Sequence, residues 1–400
     1  MAEDIRSREG LRRATLLLGS TLTVMAGAIV APALPEISRS FGHLEEAELL
    51  SKLILTLPAL VIALMAPVAG FFMDKAGRKR ILLASLLLYA IAGTSGAYLN
   101  DMYMILAGRA FLGMAVGALM TSIVTLIGDY YRGDKRSKIM GYQAAFASTG
   151  GLVFISAGGV LADMHWRYPF FIYSVSLVLF FLAVASVYEP ERARPAPGVK
   201  LPAISMFRLI PVKVLWVYLI AFFSFAVFYM IPVQMPFMLS AIEGVTNTGV
   251  GIAIACMNIT AMISAFNYSR VKSRMGFPYI MALVYVLVGM GYSVISFSDS
   301  YMMIVGGILI CGLGFGLQMA NVNLWLVTLA PANIRGSLVG YLNTFIFLGM
   351  FLSPLLLQPL AEITSLYQSF FIVGILLVIV ASILAYSGLR GFWNINLNEN

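Results

Sequence analysis

Gly70-Phe-Phe-Met-Asp74-Lys75-Ala-Gly77-Arg78-Lys79-Arg80 is a short, strongly basic turn. Leu50–Met73 runs into it and Ile81–Leu99 leaves it, and both flanks are almost wholly apolar. Each is close to the ~20 residues a helix needs to cross ~30 Å of hydrocarbon. A basic turn between two such runs predicts a helical hairpin through a membrane. The same pattern continues in both directions. Apolar runs recur near Thr15–Pro35, Tyr103–Gly128, Ile139–Leu161, Tyr168–Val187, Val214–Leu239 and Gly249–Tyr268. Others lie near Pro278–Phe297, Tyr301–Thr328, Leu338–Leu360 and Tyr367–Gly388, giving twelve predicted spans.

Composition agrees. The 400 residues are 60% hydrophobic and 11% charged, with mean hydropathy +0.91, too little polar surface for a soluble domain of this length. Helices are the expected form, since backbone groups must be satisfied internally in lipid. A net charge of +8 raises nucleic-acid binding, but the basic residues sit in short clusters between apolar runs. Alternate loops hold 22 of the 26 Lys and Arg, and Arg39, Lys52 and Arg167 fall on the other side. The positive-inside rule then predicts both termini in the cytoplasm of a multi-pass protein of the cell membrane. The first run is expected to be a retained span and not a signal peptide. Cys256 and Cys311 lie inside apolar runs, and no metal cluster, nucleotide loop or nucleophile constellation is evident. An enzyme and ATP-driven transport are disfavoured; no cofactor, metal or nucleic-acid partner is expected.

An offset of 199 residues aligns Gly77 with Gly276, Gly108 with Gly307, Gly113 with Gly312 and Gly117 with Gly316. It also aligns Gly141 with Gly340 and Gly150 with Gly349. Glycine is 36 of 400 residues, so six matches at one offset exceed chance and indicate two six-helix halves. The expected organisation is a bundle over 1–188, a cytoplasmic linker over 189–208 and a second bundle over 209–400. Parallel repeats of this kind are a transporter architecture.

The quoted turn resembles the G-x-x-x-D-x-x-G-R-[RK] signature of the major facilitator superfamily. The fourth run, Arg109-Ala-Phe-Leu-Gly113, resembles that family's R-x-x-x-G motif. The fifth, Gly141-x8-Gly150-x3-Phe154-Ile155-x2-Gly158-Gly159, resembles its antiporter motif with the usual Gly-Pro replaced. Trp166-Arg167-Tyr168-Pro169-Phe170 resembles the opening of its sixth helix. The resemblance covers essentially the whole chain and is closest to the twelve-helix drug:proton antiporter branch. It implies an all-α fold of two pseudo-symmetric six-helix bundles, acting as a monomeric secondary transporter of a small organic molecule by rocker-switch alternating access.

Roles follow as expectations. Gly70 allows close helix approach, and Gly77 takes a positive-φ turn. Asp74 meets the N-terminus of the eleventh helix, Arg78 pairs with Asp129, and Arg136 joins this gating group. Arg109, about 12 Å into the membrane at 1.5 Å per residue, is expected to face a wet cavity or a partner, in substrate or proton coupling, or else to bond backbone carbonyls. Its repeat mate is Ile308, so the architecture does not itself require the charge. Cavity candidates are Gln318, Asn321 and Trp325 on one face of the tenth helix, with Asn323 pointing elsewhere. Tyr229, Gln234, Asn258, Gln143 and Asn343 complete the set. Pro232 and Pro236 are expected to break or kink the seventh helix. Intramembrane carboxylates are lacking, which favours facilitated diffusion or exchange over a strong proton motor. Glu36 is the nearest proton-coupling candidate. Asp163 and His165 are expected in a solvated loop. Export is the leading expectation; import or uniport of a metabolite, and a non-transporting sensor or lipid-handling protein, stay open.

Overall fold

The computed structural model describes residues 2–190, 212–331 and 334–393. Among the described residues, twelve helical segments are long and apolar enough to cross a membrane, the sixth of them only together with the 3-10 turn that precedes it. In the first half these are α1 (Ala2–Ala28), α2 (Ala47–Ala76), α3 (Arg78–Thr94), α4 (Met102–Tyr130), α5 (Gly133–Met164) and α6 (Val175–Ser186). In the second they are α7 (Val212–Ser240), α8 (Asn247–Phe266), α9 (Phe277–Ser296), α10 (Tyr301–Leu329), α11 (Arg335–Ile363) and α12 (Leu366–Leu389). A short helix, Leu34–Ser40, extends α1, and a 3-10 turn, Tyr168–Ser174, leads into α6. Pro232 and Pro236 do not break α7, which runs continuously through both. Most of the expected linker, from residue 191 onward, lies outside the described residues.

Twelve crossings put both chain ends and the basic loops on one face, called here the basic face. Side chains pack as two cores. One holds Leu22, Met25, Tyr89, Leu112, Val116 and Tyr173 from the first half. The other is built from α7–α12, but also takes in Ala31, Leu34, Leu55 and Ile155 from the first half. All four lie toward the face opposite the basic one, so the two bundles are joined there.

The glycine repeat has a packing cause. Between helices in lipid there is little hydrophobic driving force, and small residues let backbones approach. A Cβ on Gly113 in α4 would lie 2.6 Å from the Pro58 carbonyl oxygen of α2. Its mate Gly312 in α10 would place one 2.5 Å from the Met257 carbonyl oxygen of α8. Gly150 of α5 packs on Thr21 of α1, and Gly349 of α11 on Phe222 of α7. Equivalent crossings are thus sealed in both halves. Gly141 and Gly340, near the basic-face ends of α5 and α11, meet nothing within 4 Å.

Gly113→Val and Gly312→Val are each expected to lower stability by about 1–3 kcal/mol, the usual cost of overpacking. Gly141→Ala and Gly340→Ala should leave it unchanged. Thermal melting of the purified protein in detergent distinguishes the two pairs.

Candidate functional site

The basic turn is organised around Gly77, whose φ of +99° suits only glycine. It ends α2 and starts α3. The Glu189 carboxylate accepts from the Arg78 N–H at 2.7 Å and the Lys79 N–H at 2.9 Å, filling the free N-terminus of α3. Arg78 Nε donates to Asp129 Oδ2 at 3.0 Å, tying α3 to the end of α4. The Arg136 guanidinium lies beside Gly128. Glu189 had no role in the sequence reading, where it only opened a linker. The surroundings of Gly70 and the side chain of Asp74 lie outside what is described.

Arg109 is fully buried inside the first bundle. Its Nη2 donates to the Gly93 and Ala92 carbonyls of α3 at 2.5 and 3.2 Å. The guanidinium carbon sits 4.9 Å from the ring centroids of both Phe170 and Tyr173. The backbone-carbonyl alternative describes Nη2, and the ring faces lie against the guanidinium, while Nε and Nη1 are buried without a hydrogen-bond partner among the described residues.

The tenth helix also needs correcting. Gln318, Asn321 and Trp325 do share a face, but it is the face packed inside the second bundle, and all three are at most 2% exposed. Asn321 donates to the Phe277 carbonyl and accepts from the Tyr268 hydroxyl at 3.2 Å. Burial pushes the Tyr268 phenol up to about 12, so it remains a neutral donor. Trp325 stacks on Phe277 with centroids 5.8 Å apart and meets Trp393 edge-on. Gln234 is buried in α7 toward the opposite face, without a side-chain partner among the described residues.

Half-buried positions define what remains of the seam. α4 is flanked by α2, α3 and α1, and α10 by α8, α9 and α7. These packings leave Met114, Ala118, Thr121 and Thr125 uncovered on α4, and Met319, Asn323 and Val327 on α10. The i, i+4, i+7, i+11 spacing on α4 was legible in the sequence but has little polarity to draw notice. Tyr229, Gln143, Asn258 and Asn343 are also half-buried. The Tyr229 hydroxyl crosses the seam to Gly27 of α1, 2.9 Å from where a Cβ would stand.

Among the described residues, the polar contacts across the seam gather at one end. Every hydrogen bond between the bundles among the described residues lies at the opposite face. Asp163 accepts from the Asn247 and Thr248 N–H groups and the Thr248 hydroxyl. Glu36 accepts from the Asn247 amide at 2.7 Å. Lys52 donates to Gln358 Oε1 at 2.5 Å and to Glu48 at 2.6 Å. Gly159 of α5 and Gly251 of α8 press on each other's helices beside these contacts. Asp163 is solvent-exposed, as expected, but it stands in the last turn of α5 and not in a loop, and it contacts the other bundle. Lys52 is buried within α2. Toward the basic face α5 is exposed around much of its circumference, and α8 is exposed or half-buried beyond Met257.

Twelve membrane-length helices among the described residues, packed as two bundles, define a polytopic membrane protein. The signature of the Major Facilitator Superfamily matches residues 16–354, and the chain belongs to that family. It is 24% identical to the Bacillibactin exporter of Bacillus subtilis (strain 168), across 82% of this chain and 85% of the relative. It is 26% identical to the Quinolone resistance protein NorA of Staphylococcus aureus (strain MRSA252), across 43% and 44%. Among solved structures, a bacterial homolog to the human lysosomal transporter Spinster, inward-facing and unoccupied, superposes with TM-score 0.78 at 18% identity, covering 96% of this chain and 98% of that one. A D-xylose-proton symporter gives 0.74 at 15% identity, covering 93% and 96%.

Arg109→Ala and Arg109→Lys are both expected to reduce the yield of folded protein, because neither restores the planar group between two rings. Size-exclusion chromatography and melting check this. Transport per folded molecule should fall far less than transport per cell.

Proposed function

We propose that this protein is a secondary transporter of the cell membrane that exports a small organic molecule by rocker-switch alternating access. The basic face is read as cytoplasmic, so the seam is open inward. The observation that carries this reading is the one-ended seam: polar contacts join the bundles at the opposite face, while half-buried strips on α4 and α10 run toward the basic one. Export is supported by the Bacillibactin exporter and NorA matches. Tyr229, Asn258, Asn343, Gln143, Asn323 and Thr121 are assigned to solute contact. Arg109, Gln318, Asn321 and Trp325 are assigned to bundle packing. Gln234 becomes available when the opposite face opens. Asp74, Gly77, Arg78, Asp129 and Arg136, with Gly70 at the helix approach, form the inner gate implied by the family resemblance.

The solute is read as amphipathic and neutral or anionic. The assigned side chains are hydroxyls and amides, and the described carboxylates lie near helix ends, so a fixed cation at the midplane would have no counter-charge. Glu36 is the carboxylate a proton would engage.

Reconstitution in proteoliposomes tests this, with bacillibactin and a quinolone as first solutes. Uptake into inside-out vesicles is expected, and flux only in the opposite direction would overturn export. Flux indifferent to a pH gradient would remove proton antiport. Asn258→Ala and Asn343→Ala should raise KM about 5–20-fold, the loss of one or two polar contacts, with melting unchanged.

A further inference from the structure

The N–H groups that begin a helix lack intrahelical acceptors and carry partial positive charge. α8 is a 20-residue helix whose first N–H groups are met by a carboxylate from the other bundle. Asp163 Oδ1 accepts from the Asn247 N–H at 2.6 Å, and Oδ2 from the Thr248 N–H at 3.0 Å and from its hydroxyl. Across the same face, the Lys52 side chain is 0% exposed. It donates to Glu48 on its own helix and to Gln358 of α11, and its ammonium lies 4.7 Å from the Phe237 ring centroid of α7. If the bundles part here, Asp163, exposed at the end of α5, exchanges the α8 terminus for water, and Lys52 loses Gln358 and Phe237 and keeps only Glu48 of its own helix.

The helix pairs involved are symmetry mates. The 199-residue offset relates α2 to α8 and α5 to α11. The family resemblance assigns to Asp74 a contact from the end of α2 to the start of α11 on the basic face. Asp163 reaches from the end of α5 to the start of α8 on the other face, and it is not the offset mate of Asp74, which is Ser273.

We propose that Asp163, seconded by Lys52, is the outer latch of the transport cycle. It stabilises the state open to the basic face and opposes the Asp74 contact. The balance between the two open states is then set by the difference between two carboxylate–helix clamps on opposite faces. The latch rests on the alternating-access reading, and its test needs no solute.

Cys256 and Cys311 are replaced by Ser, and spin labels are placed at Lys138→Cys and Phe266→Cys, at the basic-face ends of α5 and α8. Distance distributions are then measured in liposomes by pulsed electron resonance. Asp163→Asn should raise the closed-to-open ratio at the basic face about tenfold, the scale of a well-placed charge at a helix terminus. Lys52→Met should shift it the same way, and Asp163→Glu should retain much of the original balance. Asp74→Asn should shift it oppositely, and Asp74→Asn with Asp163→Asn should return toward the parent. Asp163→Asn and Lys52→Met proteins that stay folded by melting and chromatography, yet keep the parent distribution while Asp74→Asn moves it, overturn the latch alone. A distribution that no variant displaces removes alternating access, and the latch with it.

Discussion

Within each bundle, the controlling constraint is backbone-to-backbone proximity. Lipid tails are as apolar as leucine, so burying leucine between helices gains little over leaving it in lipid. Cohesion comes from contact density, and contact density from residues that let helices touch. Gly113 against Pro58 and Gly312 against Met257 are the same crossing made twice, at equivalent positions of a repeated half. Polar side chains add to this framework. The Tyr89 and Tyr173 hydroxyls donate to α1 carbonyls, Tyr292 to the Val227 carbonyl of α7, and Tyr218 to the Leu338 carbonyl of α11. The result is two bundles that each hold much of their own core.

The seam between them follows different rules. Its hydrogen bonds among the described residues use charged, hydroxyl and amide groups gathered at one end, which water can replace when the bundles part, beside a smaller set of apolar and backbone contacts. A seam sealed like a bundle interior would not open. Gly159 and Gly251 bring α5 and α8 close at the shut end, whereas Gly141 and Gly340 touch nothing at the other. The repeat glycines thus divide between positions where packing holds a bundle together and positions left uncovered beside the seam.

The spans, the two halves and the Gly77 turn were legible in the sequence, because apolar length, repetition and a positive-φ glycine are local properties. The faces of α10 were not. Three polar residues at i, i+3, i+7 mark a polar stripe, but a stripe facing α9 looks the same in sequence as one facing a cavity. Lys52 was misplaced for a related reason: a lysine just inside a span edge looks solvated until Gln358, 306 positions away, covers it. Asp163 looked like a loop residue because its partner is the start of a helix, which has no sequence letter. Glu189 was missed likewise, since its acceptors serve the backbone of Arg78 and Lys79.

Arg109 shows how the repeat separates architecture from chemistry. In the second half its place is taken by Ile308, fully buried, and the place of Gly93 is taken by Tyr292. The bulky group has changed helices: arginine on α4 beside glycine on α3, isoleucine on α10 beside tyrosine on α9. Tyr292 packs edge-on against Phe370 with centroids 4.8 Å apart and bonds an α7 carbonyl, much as Tyr173 bonds the Ala26 carbonyl of α1. Both solutions fill one slot and anchor one aromatic hydroxyl to the first helix of the half. The close apolar replacement supports the proposal that this arginine serves packing. Its guanidinium is held by two carbonyls and two rings of its own bundle, so it can travel with that bundle without being resolvated when the seam changes ends.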